Sequence, residues 1–176
     1  MKNWLAAVSL GVVAGFAVSA VADDNDQGGR HRPQRVFRAE LVGVNEVPSV
    51  STAARGQFYA VVNSAETELR YWLRFSPLTG ATVMSHIHFS QHHVNGGISA
   101  WLCEGTTQSP SVSTPPCVSD ATIEGVITSL EVIGPADRGI APGEFAELLA
   151  AMRSGAAYAN VHSATWGGGE IRGQIH

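Results

Sequence analysis

The sequence predicts an all-β fold: an antiparallel β-sandwich or Greek-key-like barrel, with one short helix before a C-terminal hairpin. Apolar and polar residues alternate with period two in several short runs. Gly, Pro, Asn and Ser fill the gaps between those runs, as turns require. Only one segment of the mature domain carries a helical period, so helices contribute little.

Phe37, Ala39 and Leu41 alternate with Arg38 and Glu40 in the first strand. Phe58, Ala60 and Val62 alternate after Gly56. Leu69, Tyr71, Leu73 and Phe75, set against Glu68, Arg70, Trp72 and Arg74, mark a half-buried strand most clearly. Residues 83–90 continue the pattern, with Val83, Ser85, Ile87 and Phe89 on one face and Met84, His86, His88 and Ser90 on the other. Further strands are expected at 98–102, 122–128, 157–163 and 170–175. The helix is expected over 142–154, where Phe145, Leu148, Leu149 and Met152 form an i, i+3, i+4, i+7 stripe. Pro142 suits its first turn and Gly155 its stop. Many short strands of this kind build a sandwich or a barrel.

The last two strands are joined by Ala-Thr-Trp-Gly-Gly-Gly, short enough for an antiparallel hairpin. Matching the apolar faces Ala157/Ala159/Val161 and Ile171/Gly173/Ile175 sets the register. Tyr158, Asn160 and His162 then lie beside Gln174, Arg172 and Glu170. Gly173, inside a strand, marks a close approach of backbone.

Residues 1–22 read as a secretory signal peptide. Lys2 supplies the positive start, an apolar run covers residues 5–21, and Ala20-Val21-Ala22 is a small-x-small cleavage signal. The run is short for a membrane span, so no membrane insertion is expected. Residues 23–34 are polar and expected to be disordered, and 35–176 suit a single domain. Loss of Lys2 moves the formal charge from -4 to -5. An acidic domain has no general electrostatic attraction to nucleic acid or anionic membrane. The basic stretch Arg30 to Arg38 reads as a solvated tail entering the first strand. Cys103 and Cys117 are the two cysteines, and in an exported chain they are expected to form a disulfide.

His86 and His88 share a strand face, and His162 belongs to a later strand. Three imidazoles meeting in space would suit copper or zinc. Glu170 beside His162 would orient that ring. The competing reading is a metal-free polar network of the same histidines with Glu170 and Arg172, and with Asn160 facing Arg172. His92 and His93 are either loop residues or an extension of the cluster. There is no Gly-x-Ser-x-Gly elbow, no spare cysteine and no phosphate-cradling loop before a helix. The acids are scattered, and no general acid/base pair can be assigned.

Several segments resemble the CHRD (chordin-type) domain. These are residues 37–48, Ser85-His-Ile-His-Phe89 followed by residues 94–103, and above all Gly155-Ala-Ala-Tyr-Ala-Asn-Val-His-Ser163 with Gly169-Glu-Ile-Arg-Gly-Gln-Ile175. The likeness spans about residues 36–175. It implies an extracellular, mostly β domain and favours a binding or structural module without catalysis; the expected partner is an unidentified extracellular protein or matrix component. Chordin's growth-factor antagonism is not carried over, because its cysteine-rich modules are missing here. His92-His93 departs from the Gly-containing turn usual in the family. The His-x-His-Phe stretch also resembles the copper-site strand of copper–zinc superoxide dismutases, in local pattern alone. The expected function is a secreted or periplasmic binding or structural module with no required cofactor. The alternative is a copper or zinc protein using His86, His88 and His162, with redox chemistry open to it.

Overall fold

The computed structural model describes residues 33–176. The expected signal peptide and all but the last two residues of the polar leader lie outside the described residues. Eight strands and one α-helix are present among the described residues. The strands are β1 (Val36–Val42), β2 (Arg55–Val62), β3 (Leu69–Phe75), β4 (Thr82–Phe89), β5 (Gly97–Glu104), β6 (Ile123–Ile127), β7 (Ala157–Ser163) and β8 (Ile171–Gln174). Helix α1 (Phe145–Arg153) precedes the C-terminal hairpin β7–β8.

All eight strands form one antiparallel sheet in the order β5-β4-β7-β8-β1-β2-β3-β6. A continuous sheet of this length curls, because each strand twists against the next. The result is a nearly closed barrel, which decides between the sandwich and the barrel. Phe37, Leu41, Phe58, Leu69, Leu73, Ile87, Leu102, Val161 and Ile171 are fully buried in its core. The Tyr71 hydroxyl on β3 donates to the Leu102 carbonyl on β5 at 2.6 Å and so bridges the interior. A buried phenol satisfied in this way keeps its packing area without the penalty of an unmade hydrogen bond.

The helical stripe behaves as expected: Phe145, Leu148, Leu149 and Met152 are all buried. Each such side chain contributes about 1.5–3 kcal/mol by leaving water. The helix starts at Phe145, three residues after Pro142. Gly143 between them takes φ +89°, a left-handed conformation that no α-helix includes. Gly155, at φ +69°, ends the helix where expected.

Cys103 and Cys117 form the expected disulfide. It closes a short loop and restricts the unfolded chain, which is worth about 3 kcal/mol in the loop-entropy picture. The bond also ties β5 to the segment that returns beside it, where the Cys117 N–H donates to the Glu104 carbonyl at 2.7 Å.

The hairpin register agrees with face matching over its paired residues. Tyr158 faces Gln174, Asn160 faces Arg172, and Ala159 faces Gly173. Strand β8 then lies against β1, where Arg38 and His176 exchange both backbone hydrogen bonds at 2.8 and 3.0 Å. A Cβ on Gly173 would overlap the carbonyl oxygen of Glu40 and lie 3.1 Å from Ala39 Cβ. Gly173→Val should therefore destabilise the fold by about 1–3 kcal/mol or more, the usual penalty for overpacking. A denaturant midpoint equal to that of the unchanged protein would contradict this contact.

Candidate metal centre

Strand alternation sends Ser85, Ile87, Ala159 and Val161 away from the face that carries His86, His88, Asn160 and His162. Ile87, Ala159 and Val161 join the hydrophobic core. On the β4–β7 pair, Met84 lies opposite His162, His86 opposite Asn160, and His88 opposite Tyr158. His86 and His162 are thus diagonal neighbours, within reach of each other across the ladder. The β4–β5 register shifts twice, between Ser85 and His86 and between Ile87 and His88. Irregularities of this kind re-aim side chains beside a site.

The three rings converge. Ring centroids lie 5.1 Å apart for His86 and His162, 5.3 Å for His86 and His88, and 6.2 Å for His88 and His162. One nitrogen from each ring falls within 4.8 Å of the other two. His86 Nδ1 and His162 Nε2 are 3.3 Å apart. Metal–nitrogen bonds of about 2.0–2.1 Å in a tetrahedral site place two ligand nitrogens about 3.3 Å apart. That pair already has the required spacing.

Backbone carbonyls settle the proton positions on two of the rings. His88 Nδ1 is 3.0 Å from the Gly96 carbonyl, and His162 Nδ1 is 2.9 Å from the Gly167 carbonyl. A carbonyl only accepts, so each Nδ1 carries the hydrogen and donates it. In the neutral ring, Nε2 is then an unprotonated lone pair, the form a metal needs.

Burial enforces neutrality. His86 is fully buried, and His88 and His162 are 7% and 6% exposed. Burial pulls the His86 imidazole down to about 2, helped by the charges its two neighbours would carry. It pulls His88 down to about 4, against the upward pull of the Gly96 hydrogen bond. His162 is lowered by burial too, although its bond to Gly167 opposes the shift. His86 Nε2 and His88 Nε2 are buried with no hydrogen-bond partner in the protein. A polar atom left so costs about 1–3 kcal/mol. His86 Nδ1 and His162 Nε2 are at hydrogen-bond distance in the metal-free protein, whereas His88 Nε2 is left with nothing to meet it.

Aromatic rings and a buried ion pair frame the histidines. Trp101 meets His86 edge to face at 4.4 Å. Tyr158 stacks flat on His88 at 4.8 Å, and the Arg172 guanidinium lies 3.8 Å from the Tyr158 ring centre. Arg172 Nε is 3.2 Å from Glu46 Oε2. That is an ion-pair distance, but the N–H is not aimed well enough for a hydrogen bond. Burial pushes the Glu46 carboxyl up to about 7, against the pull of Arg172. The other end of the guanidinium donates to Asn95 Oδ1 and the Val94 carbonyl.

One expected neighbour is elsewhere. Glu170 does not orient His162, because the chain bends at Glu170 and β8 begins only at Ile171. Its backbone N–H donates to the Val161 carbonyl at 2.8 Å, one residue out of the register in which Val161 faces Ile171. Its carboxylate turns to Thr52 and Thr79 instead, accepting from both hydroxyls and from the Thr79 N–H. The Gly167 carbonyl takes the orienting role, and Glu46 is the acid that meets Arg172. Asn160 lies opposite His86 on β4 and opposite Arg172 on β8. His92 and His93 are exposed loop residues outside the cluster. Sequence reasoning assigned no role to Glu46, Trp101, Gly96 or Gly167. Tyr158 was legible, since it shares its strand face with Asn160 and His162.

The model of the CHRD domain family matches residues 37–175. No curated protein and no solved structure matches the chain.

The buried imidazoles make the metal-free protein acid-sensitive. Unfolded histidines bind protons below about 6.5, whereas His88 and His86 in the fold wait until about 4 and 2. The unfolded chain therefore binds more protons in that window, and stability falls as pH drops through it. Glu46 opposes this between its ordinary 4.5 and about 7, one group against three. The net expected loss is roughly 1–3 kcal/mol per pH unit, read from denaturant midpoints. A stability that holds or rises on acidification from about 6.5 to 4 would contradict neutral burial.

Proposed function

The chain belongs to the CHRD domain family, and from that premise we propose that it is an exported, non-catalytic binding module whose buried imidazole cluster holds one copper or zinc ion. One observation carries the metal reading: the three rings each offer a nitrogen within 4.8 Å of the others, with His86 Nδ1 and His162 Nε2 3.3 Å apart and His88 Nε2 enclosed without a partner. Nitrogen donors suit copper and zinc, whereas calcium and magnesium prefer oxygen. Export is supported by the family, by the leader read from the sequence and by the Cys103–Cys117 disulfide. The Asn95–Arg172–Glu46 network would hold the surrounding loop in place. An extracellular protein or matrix component is the proposed partner class.

Protein purified without a histidine tag should take up one equivalent of zinc or copper. With free metal at about a hundred times Kd, the fold should gain about 2.7 kcal/mol. His86→Ala with His88→Ala should abolish uptake, and His92→Ala with His93→Ala should not. Metal analysis of folded protein, verified by circular dichroism, reads both. No stoichiometric metal, or undiminished uptake by the His86/His88 variant, would end this reading.

A further inference from the structure

Met84 is a further residue of the histidine face. It lies two residues before His86 on β4 and directly opposite His162 on β7. Paired residues of an antiparallel ladder have their Cβ atoms about 4.5–5.5 Å apart on the same face. The long thioether of Met84 is therefore within reach of the point where the imidazoles meet. The histidines are buried, but Met84 is half-buried. It is more exposed than any of the three imidazoles.

The donor set has a second property. The cluster within 4.8 Å contains three imidazoles and no carboxylate or thiolate. Glu170 is engaged by Thr52 and Thr79, and Glu46 by Arg172. A dication enclosed here would have no anionic ligand to compensate its charge. The Born cost of enclosing an ion grows with the square of its charge, so it is about fourfold smaller for a monovalent ion. Divalent copper also prefers a square-planar or tetragonal arrangement. Neutral imidazoles plus a thioether suit monovalent copper, since soft sulfur ligands select that state.

We propose that the site is built for copper(I), with the Met84 thioether as its fourth, soft donor at the solvent-facing end. This rests on the metal-binding reading above and goes further, by naming the ion and one more ligand. Copper would then enter and leave past Met84, with the three imidazoles as the fixed floor.

The test compares the unchanged protein with Met84→Leu, a swap that keeps side-chain volume and is tolerated well by folds. Copper(I) affinity is measured without oxygen against the chromophoric chelator bicinchoninate, and zinc affinity by competition with a zinc dye. Met84→Leu should weaken copper(I) by about tenfold or more, while zinc changes by less than about threefold. X-ray absorption of the copper(I) protein should show one sulfur scatterer beside the nitrogens, lost in Met84→Leu. Equal copper(I) affinity in both proteins, or no sulfur signal, would overturn the assignment of Met84. Zinc bound as tightly as copper(I) by the unchanged protein would overturn the choice of ion and leave the metal reading standing. Failure to bind either ion would remove both.

Discussion

The candidate site depends on one constraint: three imidazoles are held out of water in their neutral form, with two tautomers set by backbone carbonyls. The Gly96 and Gly167 carbonyls each take an Nδ1 hydrogen. That leaves lone pairs on the opposite ring nitrogens, enclosed by protein. Side chains alone could not produce this. It needs β4 and β7 adjacent in the sheet, and it needs two loops that return to present a carbonyl at the right height. The barrel supplies both, because every strand of the sheet is locked to its neighbours by the register of its core residues.

The surrounding groups strengthen this arrangement. Tyr158 sits on the strand between β4 and β8, with His88 stacked on it and Arg172 over its ring. A cation over a ring face is attracted by the ring's quadrupole, more strongly when both are desolvated. Glu46 and Asn95 hold the two ends of that guanidinium. A protein that needed only a stable sheet would gain more from apolar residues here, since a buried ion pair is often neutral or worse for stability. Ionic groups kept at such a place point to positioning, and the groups they position are the imidazoles and the loop that carries Gly96.

Much of this was legible in the residues. Alternation placed the strands, the stripe from Phe145 to Met152 placed the helix, and face matching placed Arg172 opposite Asn160. His86 and His88 on one face followed from period two alone. The approach of His162 needed the strand order, which periodicity does not contain. Face matching carries the register to Glu170, one residue past the end of the ladder, where the bend after Gly169 turns the side chain toward Thr52 and Thr79. Glu46 went unassigned because it lies in an irregular loop more than a hundred residues from Arg172, with no local pattern to pair them. Gly96 and Gly167 act through their carbonyls, which leave no mark in side-chain chemistry.

The tautomers can be observed directly. Long-range nitrogen–proton correlation spectra of the metal-free protein near neutral pH distinguish Nδ1–H, Nε2–H and imidazolium rings. His88 and His162 should both appear as neutral rings protonated at Nδ1, with Nε2 free. Either ring found protonated at Nε2, or charged, would mean that the lone pairs do not face one another and that no ready-made donor set exists in this fold.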